Sequence, residues 1–291
     1  MNELKKEKMR GEIELNTCYN ENCLDTMAKM PDCFVDLTVT SPPYDDLRKY
    51  KGFSFDFESV SKELYRVTKK GGTVVWVVGD KTIKGCETGT SFRQALGFMD
   101  AGFNLSDTMI FEKTNPLPTD KKYRYYQCFE YMFVLTKGKA KTFNPQTEPT
   151  VGTGKKYKSS WGRDETDKMI ISTGKERVVS DKKCRRNIFR YGISLNVATK
   201  DKFAFKHPAI FPEKLAEDHI ISWSNEGDLV YDCFAGSGTT AKMSIINKRN
   251  WIASEMSKDY CEIIAERTQS NNFAKVEVGG LFSFLDNEAR H

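Results

Sequence analysis

Two short stretches of this chain carry residue types that could do chemistry together. The first is Ser41-Pro42-Pro43-Tyr44. Neither proline has an N–H to give a sheet ladder, and both hold φ near −65°, so the chain must leave a preceding strand in a stiff, extended turn. That turn offers a hydroxyl, two backbone carbonyls and a phenol ring, groups that accept hydrogen bonds from an amine and stack on a flat ring. On residue types alone, a rigid surface turn with Tyr44 lying on it fits as well. The second stretch is Asp232-Cys-Phe-Ala-Gly236-Ser-Gly238-Thr-Thr-Ala241. Its glycines let the backbone turn tightly and approach a ligand, and Ala241 permits close helix–strand packing. Glu255 follows at the end of the next apolar run, where a carboxylate can accept both hydrogen bonds of a ribose diol. An NAD site fits this pattern as well as any other adenosine ligand, and a packing turn without a ligand remains open.

Both stretches need strands to deliver them. Residues 35–40 and 73–79 are short runs rich in β-branched side chains and read as buried strands, as do 228–234 and 251–255. A weaker strand is expected at 13–18. Helical spacing appears over 23–30, with Asn22 near its start, and over 58–68, where Gly71-Gly72 are expected to end the helix. Further helices are expected at 91–101, from Pro212 onward, and from the end of the 251–255 strand to Arg267. Residues 108–111 and 129–136 read as an antiparallel pair around a loop with Asn115-Pro116-Leu117-Pro118, and 45–57 as a loop able to close over a site. In an open α/β sheet, ligands bind at the carboxyl ends of strands. If both stretches belong to one doubly wound sheet, their loops emerge at the same edge.

Composition narrows the class. With 39% hydrophobic and 29% charged residues the chain suits a soluble globular protein, and 291 residues allow one large α/β domain with an insert or two smaller domains. No run of about 18 apolar residues is present, so no membrane span is expected. The N-terminal MNELKKEKMRGE is charged, lacks an apolar core and does not read as a secretory signal. Eight cysteines without a C-x-x-C pair, mostly in apolar stretches, read as reduced, buried thiols of a cytoplasmic protein, and with three histidines no metal is expected. The net charge of +5 is unevenly spread. Residues 137–206 hold 18 Lys and Arg against 7 Asp and Glu, a local balance of +11 that leaves −6 for the remainder. A basic segment on a slightly acidic protein suits a polyanion, and the interleaved Tyr157, Trp161, Phe189 and Tyr191 could stack on bases.

Taken together, the motifs resemble those of the amino-methylating DNA methyltransferases. In that family the catalytic tetrapeptide is (Asp/Asn/Ser)-Pro-Pro-(Tyr/Phe), and the S-adenosylmethionine turn is Asp-Pro-Phe-x-Gly-Ser-Gly-Thr, from which this chain departs only at Cys233. The order of catalytic loop, basic stretch, His207-Pro-x-x-Phe211-Pro and glycine turn looks like the permuted β group. The resemblance implies a doubly wound, mostly parallel seven-stranded sheet with an antiparallel hairpin and a circularly permuted order. It divides the chain into a catalytic half (1–137), a target-recognition insert (138–206) and a donor-binding half (207–291).

The same resemblance implies site roles. Ser41, Pro42, Pro43 and Tyr44 act on a base flipped out of double-stranded DNA. Asp232, Phe234, Gly236, Ser237, Gly238, Thr239, Glu255, His207, Phe211 and Asn22 hold S-adenosylmethionine, Asn22 standing where the family often has Asp. Lys182, Lys183, Arg185, Arg186 and Asn187 contact DNA. Ser at the first tetrapeptide position goes with cytosine N4 in the family and Asp with adenine N6, so cytosine N4 is the expected target and adenine N6 the alternative. A homodimer and a partner restriction nuclease are open partners, invisible in the residues. A glutamine-methylating enzyme, a nicotinamide dehydrogenase and a non-catalytic nucleic-acid-binding relative are the rival classes.

Overall fold

The runs richest in β-branched residues lie in the middle of one sheet. The computed structural model describes residues 13–43, 56–116, 125–158 and 176–269 apart from 195, 208 and 209, together with 161–163, 166 and 168–171. Tyr44, most of the expected closing loop and Leu117-Pro118 lie outside the described residues. The main sheet consists of β1 (Thr17–Tyr19), β2 (Val35–Thr40), β3 (Thr68–Val78), β4 (Asn104–Lys113), β5 (Phe129–Thr136), β6 (Ile188–Tyr191), β7 (Leu229–Asp232) and β8 (Asn250–Ser254). Their order across the sheet is β1-β8-β7-β2-β3-β5-β4-β6. Only β5 runs against its neighbours; the other pairings are parallel. The sheet is therefore mostly parallel with an antiparallel hairpin, and among the described residues it has eight strands where seven were expected.

Alternate residues of the central strands face opposite layers, as the two-residue strand period requires. Val74, Trp76 and Val78 pack with α1 (Cys23–Lys29), α2 (Phe57–Val67) and α3 (Thr90–Asp100). Val75 and Val77 pack on the other side with α4 (Glu213–Trp223) and with Met243 of α5 (Thr239–Ile246). Ala241 of α5 and Ile264 of α6 (Lys258–Thr268) form a third cluster with Ala253. Each parallel crossover sends its helix to one face, the doubly wound arrangement. From β7 the chain winds to β8, and from β2 it winds the opposite way to β3, so the adjacent pair β7–β2 is the topological switch point.

Two differences from the sequence reading have local causes. Gly71 and Gly72 do not end a helix; α2 passes straight into Thr68, whose hydroxyl donates to Leu64 O at 2.6 Å, and the glycines lie within β3. Gly71 has φ +79 where β3 shifts register against β2, and a Cβ there would lie 2.8 Å from Lys141 Cβ. Lys137, counted with the basic stretch, donates instead to the carbonyls of Tyr65 (2.7 Å) and Thr68 (2.9 Å) at the C-terminus of α2.

Asn144–Asn187 forms a compact unit of its own. Within it, Thr147–Pro149 pairs Lys182–Cys184, Lys156–Lys158 pairs Glu176–Val178, and Trp161–Arg163 pairs Met169–Ile171. The three antiparallel pairings are nested in sequence, each a separate two-stranded sheet. This unit is shorter than the 138–206 insert that the resemblance implied, and Ile188–Tyr191 joins the main sheet beside β4. Phe189 and Tyr191 are consequently core residues, each 5% exposed, and not the base-stacking aromatics expected. Tyr157 is exposed.

The cysteine reading also needs correction. All eight are free thiols, but only Cys23 and Cys233 are buried, while Cys33, Cys86 and Cys184 are exposed in turns or two-stranded ribbons. Among the described residues, no helix is long and apolar enough to cross a membrane, and no group of His, Cys, Asp and Glu is arranged to hold a metal.

Candidate active site

At the switch point the two candidate loops leave neighbouring strands on the same edge. β2 ends at Thr40, and Ser41, Pro42 and Pro43 follow, with Pro42 buried. β7 ends at Asp232 and opens the glycine turn. Thr40 Oγ1 donates to Asp232 Oδ1 at 2.7 Å, a buried bond between residues 192 apart in sequence. The same carboxylate oxygen accepts the Phe234 N–H at 3.1 Å. Thr240, in the first turn of α5, donates to Val39 O at 3.2 Å. The root of the Ser-Pro-Pro turn and the root of the glycine turn are thus fastened by named hydrogen bonds. Burial pushes the Asp232 carboxyl above its ordinary pKa, against the Thr40 and Thr240 hydroxyls and the Phe234 N–H, which hold it down.

The glycine turn has the backbone its residues imply. Gly236 (φ +52) and Gly238 (φ +78) are both left-handed, and Gly238 is the N-cap of α5. A helix N-terminus presents unpaired backbone N–H groups to a ligand. Glu255, just past β8, accepts the Gly236 N–H at 2.9 Å through Oε2 and the Ser257 N–H at 2.8 Å through Oε1. Each carboxylate oxygen keeps a further acceptor position, so the ribose role remains chemically open to it. Burial raises the Glu255 pKa above the ordinary glutamate range, opposed by those two N–H bonds. Left-handed glycines and a partly buried acid beside them fit an adenosine-bearing ligand.

The His207–Phe211 segment lies against this turn. A Cβ on Gly236 would sit 3.0 Å from His207 Nε2, and the His207 ring meets the Tyr260 ring at 4.5 Å between centroids. Thr239 Oγ1 donates to Phe211 O at 3.1 Å, while Pro208 and Ala209 lie outside the described residues. Phe234 packs edge-on to Trp76 at 6.1 Å. Asn22 serves its own helix, where its Oδ1 accepts the Leu24 N–H at 2.9 Å as the N-cap of α1. The side chain that reaches the Glu255 corner from β1 is Asn20, whose amide donates to Glu255 O (2.9 Å) and Met256 O (3.0 Å). Asp80, past the end of β3, caps α3 by accepting the Ser91 N–H at 3.0 Å.

Sequence reasoning missed Asn20, Thr40, Thr240 and the buried Arg267, which donates to Ser237 and Thr239. A threonine closing the strand directly before the Ser-Pro-Pro turn was a usable signal. Arg267 gave none, because its partners are scattered along the chain. Lys182, Lys183, Arg185, Arg186 and Asn187 all lie in the Asn144–Asn187 unit, and Lys183 pairs with Glu148 at 3.1 Å.

The DNA methylase family model matches residues 35–266. The chain is 56% identical over 241 residues to the orphan methyltransferase M.BamHII of Bacillus amyloliquefaciens, spanning 82% of this chain and 90% of that protein. With the type II methyltransferase M.HinfI of Haemophilus influenzae it shares 25% identity over 280 residues, 87% of this chain and 68% of that one. Among solved structures, the cytosine-N4-specific PvuII DNA methyltransferase aligns with a TM-score of 0.65 at 22% identity, over 88% of this chain and 87% of that one. A complex of M1.HpyAVI with S-adenosylmethionine aligns at 0.55 and 20% identity, over 87% of this chain and 99% of that one. At such identities the two structures speak for the fold.

Proposed function

This chain belongs to the DNA methylase family, and from that premise we propose that it moves the methyl group of S-adenosylmethionine to the exocyclic N4 of a cytosine flipped out of duplex DNA. The observation that carries this reading is the Thr40–Asp232 bond, which ties the Ser41-Pro42-Pro43 turn to the glycine turn at the switch point. An exocyclic amine is a weak nucleophile because its lone pair is conjugated into the ring. The Ser41 hydroxyl and the Pro42 carbonyl accept its two N–H groups, draw it toward tetrahedral geometry and free the lone pair. Tyr44 stacks on the extruded base. S-adenosylmethionine, when bound, would supply the electrophilic methyl, its C–S bond breaking as the N–C bond forms so that the thioether S-adenosylhomocysteine leaves, and the methylated amine gives up one N–H proton to solvent. Gly236, Gly238 and Phe234 line its pocket, Glu255 holds the ribose, Asp232, Ser237 and Thr239 shape the turn, and His207 and Phe211 close it. No covalent bond to the enzyme is needed, so most of the acceleration comes from holding amine and methyl in line.

Ser41 in place of a carboxylate favours cytosine N4; adenine N6 with the same mechanism is the second reading. The chain order, with the catalytic loop ahead of the donor turn, suits the permuted β group. Tritiated methyl groups from S-adenosylmethionine should become attached to duplex DNA. Label on protein instead would contradict the reading and favour the glutamine-methylating class.

Glu255 gives this reading a pH signature. The ionised carboxylate is the better acceptor for a ribose diol, and burial makes it take up its proton above the ordinary glutamate pKa of about 4.3. Donor affinity should therefore begin to weaken, as pH falls, at a pH above the ordinary glutamate pKa, and Glu255→Gln should remove most of that dependence. Calorimetric titration as a function of pH checks it; a flat wild-type profile contradicts the assignment.

The 144–187 unit suits target recognition, since a two-stranded antiparallel pair such as those it contains fits the DNA major groove. DNA affinity should fall steeply with salt, with a log–log slope of about −0.9 per phosphate neutralised. Replacing Lys182, Lys183, Arg185 and Arg186 by Ala should flatten that slope, and an unchanged slope would assign the phosphate contacts elsewhere. For a homodimer, the exposed stripe Phe92, Leu96 and Met99 on α3 is the candidate face, and sedimentation velocity tests it. A partner nuclease is a further proposal, tested by co-purification.

A further inference from the structure

Arg267 is 1% exposed, and a guanidinium withdrawn from water is costly unless its N–H groups are engaged. Its Nε donates to Asp201 Oδ2 at 2.9 Å, and Nη2 donates to Glu213 Oε1 at 2.6 Å and Thr199 Oγ1 at 3.4 Å. Nη1 turns the other way, to Ser237 O at 2.9 Å, Ser237 Oγ at 3.1 Å and Thr239 Oγ1 at 2.9 Å. Lys242 Nζ reaches the same Asp201 and Glu213 oxygens at 2.8 Å each, so two cations balance two carboxylates. Thr239, which accepts from Arg267, donates its own hydroxyl proton to Phe211 O. Asp201 also stands at the start of the 3₁₀ turn Lys202–Lys206 that delivers His207 onto Gly236.

We propose that Arg267 is a positioning residue for the methyl donor. It sets the shape of Ser237–Thr239 and holds His207 and Phe211 against that turn, through Asp201 ahead of them and Glu213 behind. The inference rests on reading the glycine turn as the donor loop. It has an internal control, because Lys242 shares the carboxylates while its own hydrogen bonds run to Asp201 and Glu213. Removing Lys242 disturbs the ionic cluster alone, whereas changing Arg267 also releases the turn.

The test uses the full chain and reads donor affinity, kcat, DNA affinity and thermal midpoint. Failure of the wild type to bind S-adenosylmethionine overturns the donor-loop reading, and this inference with it. Where the wild type binds, Arg267→Lys should raise the KM for the donor about tenfold or more, with kcat at saturating donor within about threefold and DNA affinity unchanged. Lys242→Met should lower the thermal midpoint and leave the donor KM within about twofold. Thr239→Val keeps the side-chain shape but cuts the link to Arg267 and Phe211; it should raise the donor KM about fivefold, and it decides the matter if Arg267→Lys does not fold. Wild-type donor KM in Thr239→Val, or equal donor losses in Lys242→Met and Arg267→Lys, would overturn the proposal.

Discussion

Gly238→Val will leave the chain unable to bind S-adenosylmethionine. Gly238 has φ +78, a region that β-branched side chains rarely enter. A Cβ there would lie 2.8 Å from Ile264 Cγ1 and 3.2 Å from Ile264 Cβ and Cγ2. Ile264 is fully buried in α6, so no flexible tip can swing aside. Either the turn changes conformation or α6 moves, and α6 carries Arg267 one turn further on. Both routes destroy the N-terminus of α5 as a binding surface. The expected loss in donor affinity exceeds about 100-fold, near 3 kcal/mol. Calorimetric titration reads it, with circular dichroism to show that the sheet persists. Affinity within tenfold of wild type would contradict the assignment of the turn. The obstacle the structure shows is the helix behind the turn, in addition to the ligand approach expected in front of it.

The second large effect separates Asp232→Ala from Asp232→Asn. Alanine leaves the Thr40 hydroxyl and the Phe234 N–H without their buried acceptor, each at about 1–3 kcal/mol. It also unties the two loop roots, so kcat/KM should fall by about 100-fold or more. Asparagine keeps one oxygen for Thr40 and Phe234, and its amide can donate to the Thr240 hydroxyl. Because burial already disfavours the charged carboxylate, the neutral amide forfeits little. Asp232→Asn should therefore stay within about tenfold of wild type. Steady-state kinetics on both variants checks the pair. Equal losses would mean that the charge, and not the hydrogen-bond geometry, is what the site uses.

The parts of this fold that were legible in sequence are those whose determinants are local. Val35–Thr40 was read with its observed bounds because a short β-branched run ends at two prolines. The helix Phe57–Val67 fell within a residue of its expected span, set by its apolar spacing, and the helix expected to run through Arg267 ends at Thr268. The edge strand Ile188–Tyr191 was hidden because it is short and ends a lysine-rich stretch. Its alternation of exposed and buried residues became meaningful only once β4 lay beside it. Of the site, the two loops and Glu255 stood out because each is a compact pattern. The ties between them did not: Thr40–Asp232 joins residues 192 apart, and Arg267 gathers partners from 199–201, 213 and 237–239. No spacing rule links such positions; only the crossover topology does. Asn22 was matched to a family position, and the role the structure shows for it is to cap α1.

The proposed chemistry stands or falls on two loops, fastened at one sheet edge, acting on the exocyclic amine of a base. Its sharpest test is to incubate the purified chain with S-adenosylmethionine and duplex DNA, hydrolyse the DNA and identify the methylated nucleoside by mass spectrometry. N4-methylcytosine is the expected product. N6-methyladenine would keep the mechanism and overturn the base assigned to Ser41, whereas 5-methylcytosine or no methylated base would contradict the mechanism itself.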